Sequence, residues 1–357
     1  MMKIRSPLFI ISLFLLTSLS AYADYYGTYG LFPQGSAKVS AMGGAYTGYS
    51  KDINGVLYNP AGIALADWGI DFGGNANQII NLEADLNNDG IKDGLPFIYY
   101  SYSAAFRLGG LILGAGISEP YHVDMDLSGT DGSGYSENRK LSIALVSFNV
   151  PVAFRLTENL AIGVTFQTQS LYERYQHTSD NPATTKIDIG ANSEETTNAI
   201  YGIAWQQSKN VSWGLCYKKG NKFVVDDSLN TQTGGVNWFK SAVFPGVYTL
   251  GIAWQPSEYW LITLDADYIE ATKDAVYVGS ELVAGFNRIE IDPKKKSIFH
   301  SGMQWQFAAN SWVDAYLRAG TYNEPPRLID AAERQHTTFG FAARFAVLTA
   351  ALSIDGA

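Results

Sequence analysis

The pattern with the clearest potential for chemistry is a run of oxygen-bearing residues in the polar segment 83–96. Oxygen ligands at alternate positions, with a glycine for the sharp turn, form the first part of a calcium-binding loop. Pro96 occupies the place of the usual bidentate glutamate, so we expect low calcium affinity. The residues leave two interpretations open, a weak calcium site or a solvated loop of Asx turns. The ligands in the first interpretation are Asp85, Asn87, Asp89, Ile91 (through its carbonyl) and Asp93.

A second candidate for chemistry is the tripeptide His177-Thr178-Ser179. Some outer-membrane lipid hydrolases use a histidine two residues from a serine, because the serine needs a base within reach. Here the tripeptide lies in the polar segment 175–195 instead of a strand that would hold its geometry, which favours a solvated loop histidine. The sequence has no zinc-ligand spacing and no glycine-rich phosphate loop. We therefore predict no catalytic residue and expect that the protein is not an enzyme.

The stretch that must position any site is Ser36 to Ala66, ahead of the first predicted strand. Closely spaced glycines let its backbone turn where a Cβ would clash, and Asn59-Pro60 closes it with a turn dipeptide. The stretch is too irregular for a helix or a strand and too apolar for a free linker. It is predicted to be a compact plug, whose apolar side chains need a surface to bury against: Val39, Met42, Tyr46, Val56, Leu57, Tyr58 and Ile63.

The rest of the chain alternates in polarity with the two-residue period of strands. In 247–255, for example, Tyr248 and Leu250 share one face while Thr249 and Gly251 share the other. Short turns alternate with long polar connections, which is the arrangement of outer-membrane barrels. Charged residues make up 17% of the chain, below the usual share of about 25%, which also favours a lipid-facing barrel over a soluble sandwich. A salt-bridged lining around the plug is expected from the inward charges Asp71, Asp265, Asp267, Asp314, Arg318 and Arg344.

Residues 1–23 have the features of a secretory signal peptide. Lys3 and Arg5 precede an apolar segment that ends at Ala21-Tyr22-Ala23, an A-x-A cleavage site. The net charge of −9, without a basic stripe, argues against nucleic acid as a partner. The lone Cys216 excludes internal disulfides and is expected to be a small inward-facing strand residue.

Two parts of the sequence resemble the FadL-type outer-membrane transporters of long-chain fatty acids and other hydrophobic compounds. AMGGAYTG, an Asp-containing spacer and YNPAG are similar to that family's N-terminal hatch, whose signature corresponds to Asn59, Pro60 and Ala61. The segments 248–270 and 316–330 are similar to its late strands. The resemblance implies that these three residues gate the channel.

The third strand, Gly110 to Val123, is weakened from within by Gly114 and Gly116, and Pro120 removes a ladder donor. Such a strand is expected to bulge or kink and to open the wall locally. In the family resembled here, the corresponding kink gives a lateral exit beside the Asn-Pro-Ala element. The resemblance therefore implies that Asn59 to Ala61 lie against Gly114 to Pro120. The alternative is that the glycines only make room for the plug.

These observations predict an all-β protein, a transmembrane antiparallel β-barrel whose lumen is plugged by an N-terminal hatch. The predicted divisions are the signal peptide 1–23, the hatch 24–66 and the barrel 67–357. The function implied is uptake of a hydrophobic small molecule, foremost long-chain fatty acids, by a monomer in the Gram-negative outer membrane, in contact with its lipid. No cofactor is required, with calcium in loop 83–96 as the open question. The alternatives are uptake of monoaromatic hydrocarbons, a lipid hydrolase that uses His177 and Ser179, and a structural or adhesive barrel.

Counting the alternating segments gives about thirteen strands, whereas bacterial single-chain barrels close with an even number and the family resembled has fourteen. We therefore expect that the sequence lacks one closing strand. The alternative is that the two outermost strands close directly on twelve, with Val347 to Ala357 left outside the barrel wall. The strand at 347–355 is expected to pair with 336–346 on one side and to leave an open or strained seam toward 67–82.

Overall fold

A computed structural model describes residues 36–79, 83–84, 93–94, 97–130, 133–184, 186–224, 241–271, 294–309, 312–325, 333–345 and 348–356. Within these ranges, none of the helices has the length and apolar character needed to cross a membrane.

The hatch residues from 36 to 66 form four short helical turns, and glycines lie in the connection between the first two. Gly43 and Gly44 adopt positive φ values of 61° and 80°, which side chains with a Cβ rarely tolerate. Asn59 is extended, as expected for a residue that precedes a proline, and it ends the second α-helix. The turns are α1 (Ala37–Ala41), the 3-10 helix η1 (Thr47–Tyr49), α2 (Gly55–Tyr58) and the 3-10 helix η2 (Gly62–Leu65).

Strands make up nearly all of the remaining described chain. They are β1 (Ile70–Ile79), β2 (Glu83–Ala84), β3 (Asp93–Gly94), β4 (Phe97–Leu108), β5 (Leu111–Thr130), β6 (Ser136–Arg155), β7 (Leu160–Ser179), β8 (Ile187–Asn192), β9 (Thr196–Gln206), β10 (Val211–Lys218), β11 (Asn221–Val224), β12 (Ser241–Phe244), β13 (Val247–Ser257), β14 (Trp260–Ile269), β15 (Lys296–Ala309), β16 (Val313–Glu324), β17 (Arg334–Phe345) and β18 (Leu348–Gly356).

One large antiparallel sheet, here called the wall, contains all of these strands except two small hairpins. Its strands follow one another in chain order, as β1-β4-β5-β6-β7-β9-β10-β13-β14-β15-β16-β17-β18, with β8 paired to β7 beside β9. The thirteen positions along this path agree with the predicted count of about thirteen. As predicted, β18 pairs with β17, and the described residues show no ladder from β18 to β1.

The wall curves around the hatch. Asp71 on β1 accepts a hydrogen bond from the Ile53 amide at 2.8 Å, and at the other end of the sheet α1 packs on β17 and β18. Strands at both ends of the sheet therefore touch the same small unit. The predicted plug is confirmed in its packing, since Val39, Met42, Tyr46, Val56 and Ile63 are all 0% exposed.

The strands β5, β6 and β7 are longer than predicted, with 20 residues each. Parts of the segments 122–139 and 175–195 that were interpreted as loops continue the ladders, for example Glu137 opposite Ser179. These ends are rich in polar and charged residues, which are typical of loops, although Val123, Met125 and Leu127 alternate with polar residues at 124, 126 and 128. A membrane-spanning strand needs only about 9–11 residues, so these strands are long enough to extend beyond the membrane on one side.

The two faces of the wall differ as the alternation predicted. On β13, Val247, Thr249, Gly251 and Ala253 are the shielded face, whereas Tyr248, Leu250 and Trp254 are 43–53% exposed. Cys216 is buried among the inward residues of β10, as expected. The outer face carries large apolar side chains on almost every strand, a surface that water would not favour.

Candidate functional site

The candidate site is the contact between the hatch and the wall. Inside the hatch, Asp52 accepts hydrogen bonds from the Tyr46 hydroxyl at 2.6 Å and the Lys38 ammonium at 2.9 Å. Burial alone would raise the pKa of Asp52, but Lys38 and these hydrogen bonds hold that pKa below its ordinary value. Burial, with Asp52 close by, raises the pKa of Tyr46 well above its ordinary value. The hatch therefore has a charged internal anchor that keeps its turns together.

The wall meets the hatch through a row of glycines, here called the glycine belt. A Cβ on any of them would stand closer than 3.0 Å to a hatch atom, in most cases a backbone atom that cannot rotate away. Only glycine lets two backbones approach so closely. The belt crosses seven strands: Gly163 (β7), Gly202 (β9), Gly214 (β10), Gly251 (β13), Gly302 (β15), Gly320 (β16) and Gly340 (β17).

Polar side chains of the wall bind the backbone of the hatch between the belt positions. Asp265 on β14 accepts the amides of Tyr46 and Thr47 at 2.9 and 2.7 Å, and His300 on β15 lies 2.7 Å from the Gly43 carbonyl. These contacts satisfy backbone groups that the irregular hatch cannot pair internally. Three hydroxyls of the wall also donate to hatch carbonyls: Thr165 to Val56, Ser212 to Gly48 and Thr338 to Ala41.

The expected salt-bridged lining is therefore only partly correct. Arg344 and Asp314 do form an ion pair. Asp71 and Asp265 instead accept backbone amides of the hatch, so their charge is used to hold the plug. Spacing along one strand could not reveal this, because the partners lie more than 200 residues away in the case of Asp265.

The inner surface of the wall that contacts the hatch, formed by the glycine belt and the polar side chains around it, is here called the seat. Asn59 is fully buried at its centre. Its amide nitrogen donates to the carbonyls of Thr47, within the hatch, and Ile203, on β9, at 3.1 and 3.0 Å. Its side-chain oxygen accepts the Ala61 amide at 3.2 Å, and Pro60 lies against Gly163. One side chain thus joins two hatch turns to the wall.

The expected position of this turn, against Gly114 to Pro120 of β5, is wrong. The contacts of Asn59 and Pro60 are with β7, β9 and β10, two or more strands further along the sheet. The part of the hatch that reaches β5 is η2, where Ile63 shares an apolar cluster with Ile112. The resemblance located the element in the sequence, but the register between hatch and wall has no sequence signal.

The predicted irregularity of β5 is present, at Pro120. The pairing of β5 with β6 shifts between Ser118 and Tyr121, so that two residues oppose one, which is a β-bulge. The ladder between β4 and β5 ends at Ser101 opposite Ser118, although β5 continues to Thr130. Gly114 and Gly116 stay in the regular ladder with β4, where a Cβ would collide with that strand. The ladder between β4 and β5 therefore ends at the bulge and not at the glycines.

Comparison with solved structures gives the same architecture. The structure of a toluene transporter, TodX, from Pseudomonas putida matches with a TM-score of 0.60 at 15% identity, over 91% of this chain and 92% of that one. A Pseudomonas aeruginosa FadL homologue matches at 0.57 and 12% identity, over 89% and 88% of the two chains. The Ralstonia pickettii toluene transporter TbuX matches at 0.52 and 13% identity, over 91% and 97%. This chain has the fold of the FadL-type transporters. No family model and no curated protein matches the sequence.

Two arginines close the seat of this FadL-type fold at the end of the hatch. Arg107 on β4 and Arg155 on β6 both donate to the carbonyls of Ala64 and Ala66, Arg155 at 2.7 and 2.8 Å. Both strands turn immediately beyond these residues, so the arginines mark the short-turn end of the wall. They cap the carbonyls that η2 leaves unpaired.

The other predicted sites lie outside this seat. The calcium call on Asp85, Asn87, Asp89 and Ile91 falls outside the described residues, and of its ligands only Asp93 is described, on β3. His177 and Ser179 are on β7 and not in a loop, which corrects their expected position. His177 lies 3.2 Å from Glu137, while the Ser179 hydroxyl accepts the Asn181 amide. Among the described residues no group of three potential side-chain ligands is arranged to hold a metal ion.

Proposed function

We propose that this protein is an outer-membrane channel for hydrophobic small molecules and that the hatch is its gate. The observation that carries the proposal is a plug held by hydrogen bonds and a glycine belt, inside a sheet with an apolar outer face. The polar contacts to the hatch are numerous, but they are individual hydrogen bonds, worth about 0.5–1.5 kcal/mol for a neutral pair and about 1.5–3 kcal/mol where a charged group takes part. A seat of this kind is compatible with movement of the hatch as a unit.

Membrane location is supported by the outer face and by the start of the sequence. Exposed side chains such as Phe72, Phe148, Leu250 and Trp254 would form a far larger apolar patch than soluble monomers carry. The signal-peptide pattern in residues 1–23 directs export, and the outer membrane is where barrels of this type are found. Outer-membrane lipid is therefore a proposed partner, with the protein acting as a monomer.

The proposed exit is lateral, through the gap between β4 and β5. Beyond Ser118, in the direction of Thr130, β5 no longer pairs with β4, and Glu119 and Pro120 form the bulge at this point. η2 of the hatch packs on β5 near Ile112, at the short-turn end of that strand, so we propose that displacement of the whole hatch opens the lumen toward the gap. An apolar ligand released there enters the bilayer without exposing its methylenes to water, which would cost about 0.8 kcal/mol for each of them.

The proposed ligands are long-chain fatty acids, with monoaromatic hydrocarbons as the alternative. Lys218 supports a carboxylate-bearing ligand, because its ammonium lies 5.0 Å from the ring centre of the hatch residue Tyr58, on the inner side of β10. The alternative is supported by the names of the structural neighbours, which include toluene transporters and a monoaromatic hydrocarbon channel. Mass spectrometry of lipids carried by the purified protein would separate the two.

Deletion of Pro120 tests the lateral route. Because two residues oppose one at the bulge, removing one residue restores a regular register and lets β5 pair evenly with β6. We expect uptake of labelled oleate, or of toluene, by cells to be lost while heat-modifiable gel mobility stays normal. Pro120→Ala is the matched control, since it keeps the residue count and should keep uptake. Uptake by the deletion variant at the original rate would contradict lateral release.

If the unmodified protein takes up neither ligand, the proposed transport function itself is contradicted. Two other classes would then become relevant. A lipase activity lost in Ser179→Ala would indicate a hydrolase. Normal insertion without passage of any ligand would indicate a structural or adhesive barrel.

A further inference from the structure

His300 joins the hatch to the wall through both of its ring nitrogens. Nδ1 lies 2.7 Å from the Gly43 carbonyl oxygen of the hatch, and Nε2 lies 3.2 Å from a carboxylate oxygen of Asp267. The side chain is only 7% exposed, and its ring stacks on Tyr322 with 5.5 Å between centres. This histidine contributes the contact closest to the two positive-φ glycines of the hatch.

The two partners of His300 both accept hydrogen bonds and cannot donate. A carbonyl oxygen has no proton, and neither has an ionised carboxylate. A neutral imidazole carries one N–H and one lone pair, so it could bind only one of them and would turn its lone pair toward the other. Both contacts are satisfied together when the ring carries two protons, as an imidazolium.

The charges around the ring are consistent with two protons on the imidazole. β14 contributes the carboxylates of Asp265 and Asp267, β10 contributes the Lys218 ammonium near Asp267, and β16 contributes the neutral ring of Tyr322. The hatch adds backbone groups at Gly43, Tyr46 and Thr47, together with the Thr47 hydroxyl, which bonds to Asp265. An imidazolium balances two carboxylates with two cations, whereas a neutral ring leaves one buried negative charge in excess, which is costly at low dielectric.

Loss of the second proton acts on the hatch and not on the wall. A hydrogen bond to a carboxylate is about twice as strong as one to a neutral carbonyl. The remaining proton therefore stays on Nε2, facing Asp267, and the lone pair of Nδ1 faces the Gly43 carbonyl. The contact that disappears is the one between His300 and Gly43, which is one of several that hold the hatch.

We infer that His300 is a positioning residue that holds the hatch closed only as an imidazolium, so that closure of the gate depends on protonation. This inference rests on the proposed gating function of the hatch. At acidic pH the hatch is fastened at Gly43, and as the pH rises above the ordinary imidazole range near 6.5 the segment from Ala41 to Ser50 loosens. The effect predicted is a higher opening frequency at alkaline pH, in an otherwise intact wall.

Amide hydrogen exchange of the purified protein, from about pH 6 to about pH 9 and corrected for intrinsic rates, tests the inference. We expect about a tenfold loss of protection in 41–50 at the alkaline end, the equivalent of one charge-assisted hydrogen bond. In His300→Asn, whose amide can still donate to Gly43 but cannot titrate, protection should not vary with pH. His336→Asn is the matched control, because His336 is also buried between two carboxylates, Glu324 and Asp355, without a contact to the hatch. In His336→Asn, the protection of residues 41–50 should keep the pH dependence of the original protein.

Asp267→Asn distinguishes a proton-dependent contact from a merely structural one. The asparagine amide can donate to Nε2, so a neutral ring then keeps its proton on Nδ1 for Gly43, and protection should persist at high pH. A role limited to packing predicts instead that this variant loosens the hatch at every pH. Protection that is independent of pH in the original protein, or Asp267→Asn loosening at every pH, would overturn the inference. Because exchange is measured without a ligand, its result is separate from any failure of uptake.

Discussion

Replacing Gly163 with alanine tests the seat of the hatch most directly. This glycine lies in the regular part of β7, opposite Gly202 on β9, and faces the Asn-Pro-Ala turn. A Cβ at this position would stand 2.6 Å from the Pro60 carbonyl carbon, 2.7 Å from the Ala61 nitrogen and 2.8 Å from the Pro60 oxygen. All three are backbone atoms, so no side-chain rotation can make room.

The size of the effect follows from these distances. Ordinary van der Waals contact begins at 3.4 Å, so the turn must retreat by about 0.8 Å or the strand must bend. Overpacking of this kind costs about 1–3 kcal/mol, which raises the population of an unseated hatch about five- to 150-fold. The wall itself should be unaffected, because β7 keeps all of its ladder hydrogen bonds on both sides.

The assay compares amide exchange of residues 55–66 in Gly163→Ala with that in Gly129→Ala. Gly129 is also in a strand, β5, and has nothing within 4 Å of an added Cβ, and neither glycine has a positive φ. Any stabilisation from restricting the unfolded chain, about 0.4–1 kcal/mol, is therefore shared by both variants. We expect faster exchange in the hatch only for Gly163→Ala, with normal heat-modifiable mobility for both. Identical exchange in the two variants would refute the argument that the belt seats the hatch.

Three further predictions concern the hatch and the loop before β4. Asn59→Ala removes the bonds to Thr47 and Ile203 and leaves the buried Ala61 amide without its acceptor, at about 1–3 kcal/mol, so we expect uptake to fall far more than heat-modifiable folding; unchanged uptake would exclude a gating role. Calorimetric titration with calcium should give heat with the original protein and less with Asp89→Ala. Equal heats would indicate that segment 83–96 is an ordinary loop without a calcium site. The lowered pKa of Asp52 stabilises the hatch above the ordinary carboxyl range near 3.9 and loses this effect as the pH falls through the lower folded value, so hatch exchange should accelerate in acid; a flat profile below pH 4 would contradict it.

Much of the wall was predictable because its signals are local. Each predicted strand appears, since alternation along one segment reports the two faces of a sheet whatever its neighbours are. The hatch core was predictable for a similar reason, because apolar residues between glycines must be buried somewhere. The bulge at Pro120 followed from one residue that cannot donate to the ladder. The long ends of β5 to β7 were missed, because their many polar residues are typical of loops and outweighed the short alternation at Val123, Met125 and Leu127.

The candidate site was less predictable because it is made of contacts between distant segments. Asn59 was identified through a family resemblance, yet its partner is Ile203, 144 positions away, and not the third strand. The role of His300 has no signal in the sequence, which does not show that one nitrogen faces the hatch and the other faces Asp267. The glycine belt did have a signal, a glycine near the middle of most late strands, but the signal acquires a meaning only when the strands are set in register. Those glycines and His300 meet the same few hatch residues from Ala41 to Ala61, so the hatch is positioned by backbone approach and held by individual side chains. Approach fixes where the hatch can sit, while single hydrogen bonds set how readily it leaves, and a gate requires that these two properties be adjusted independently.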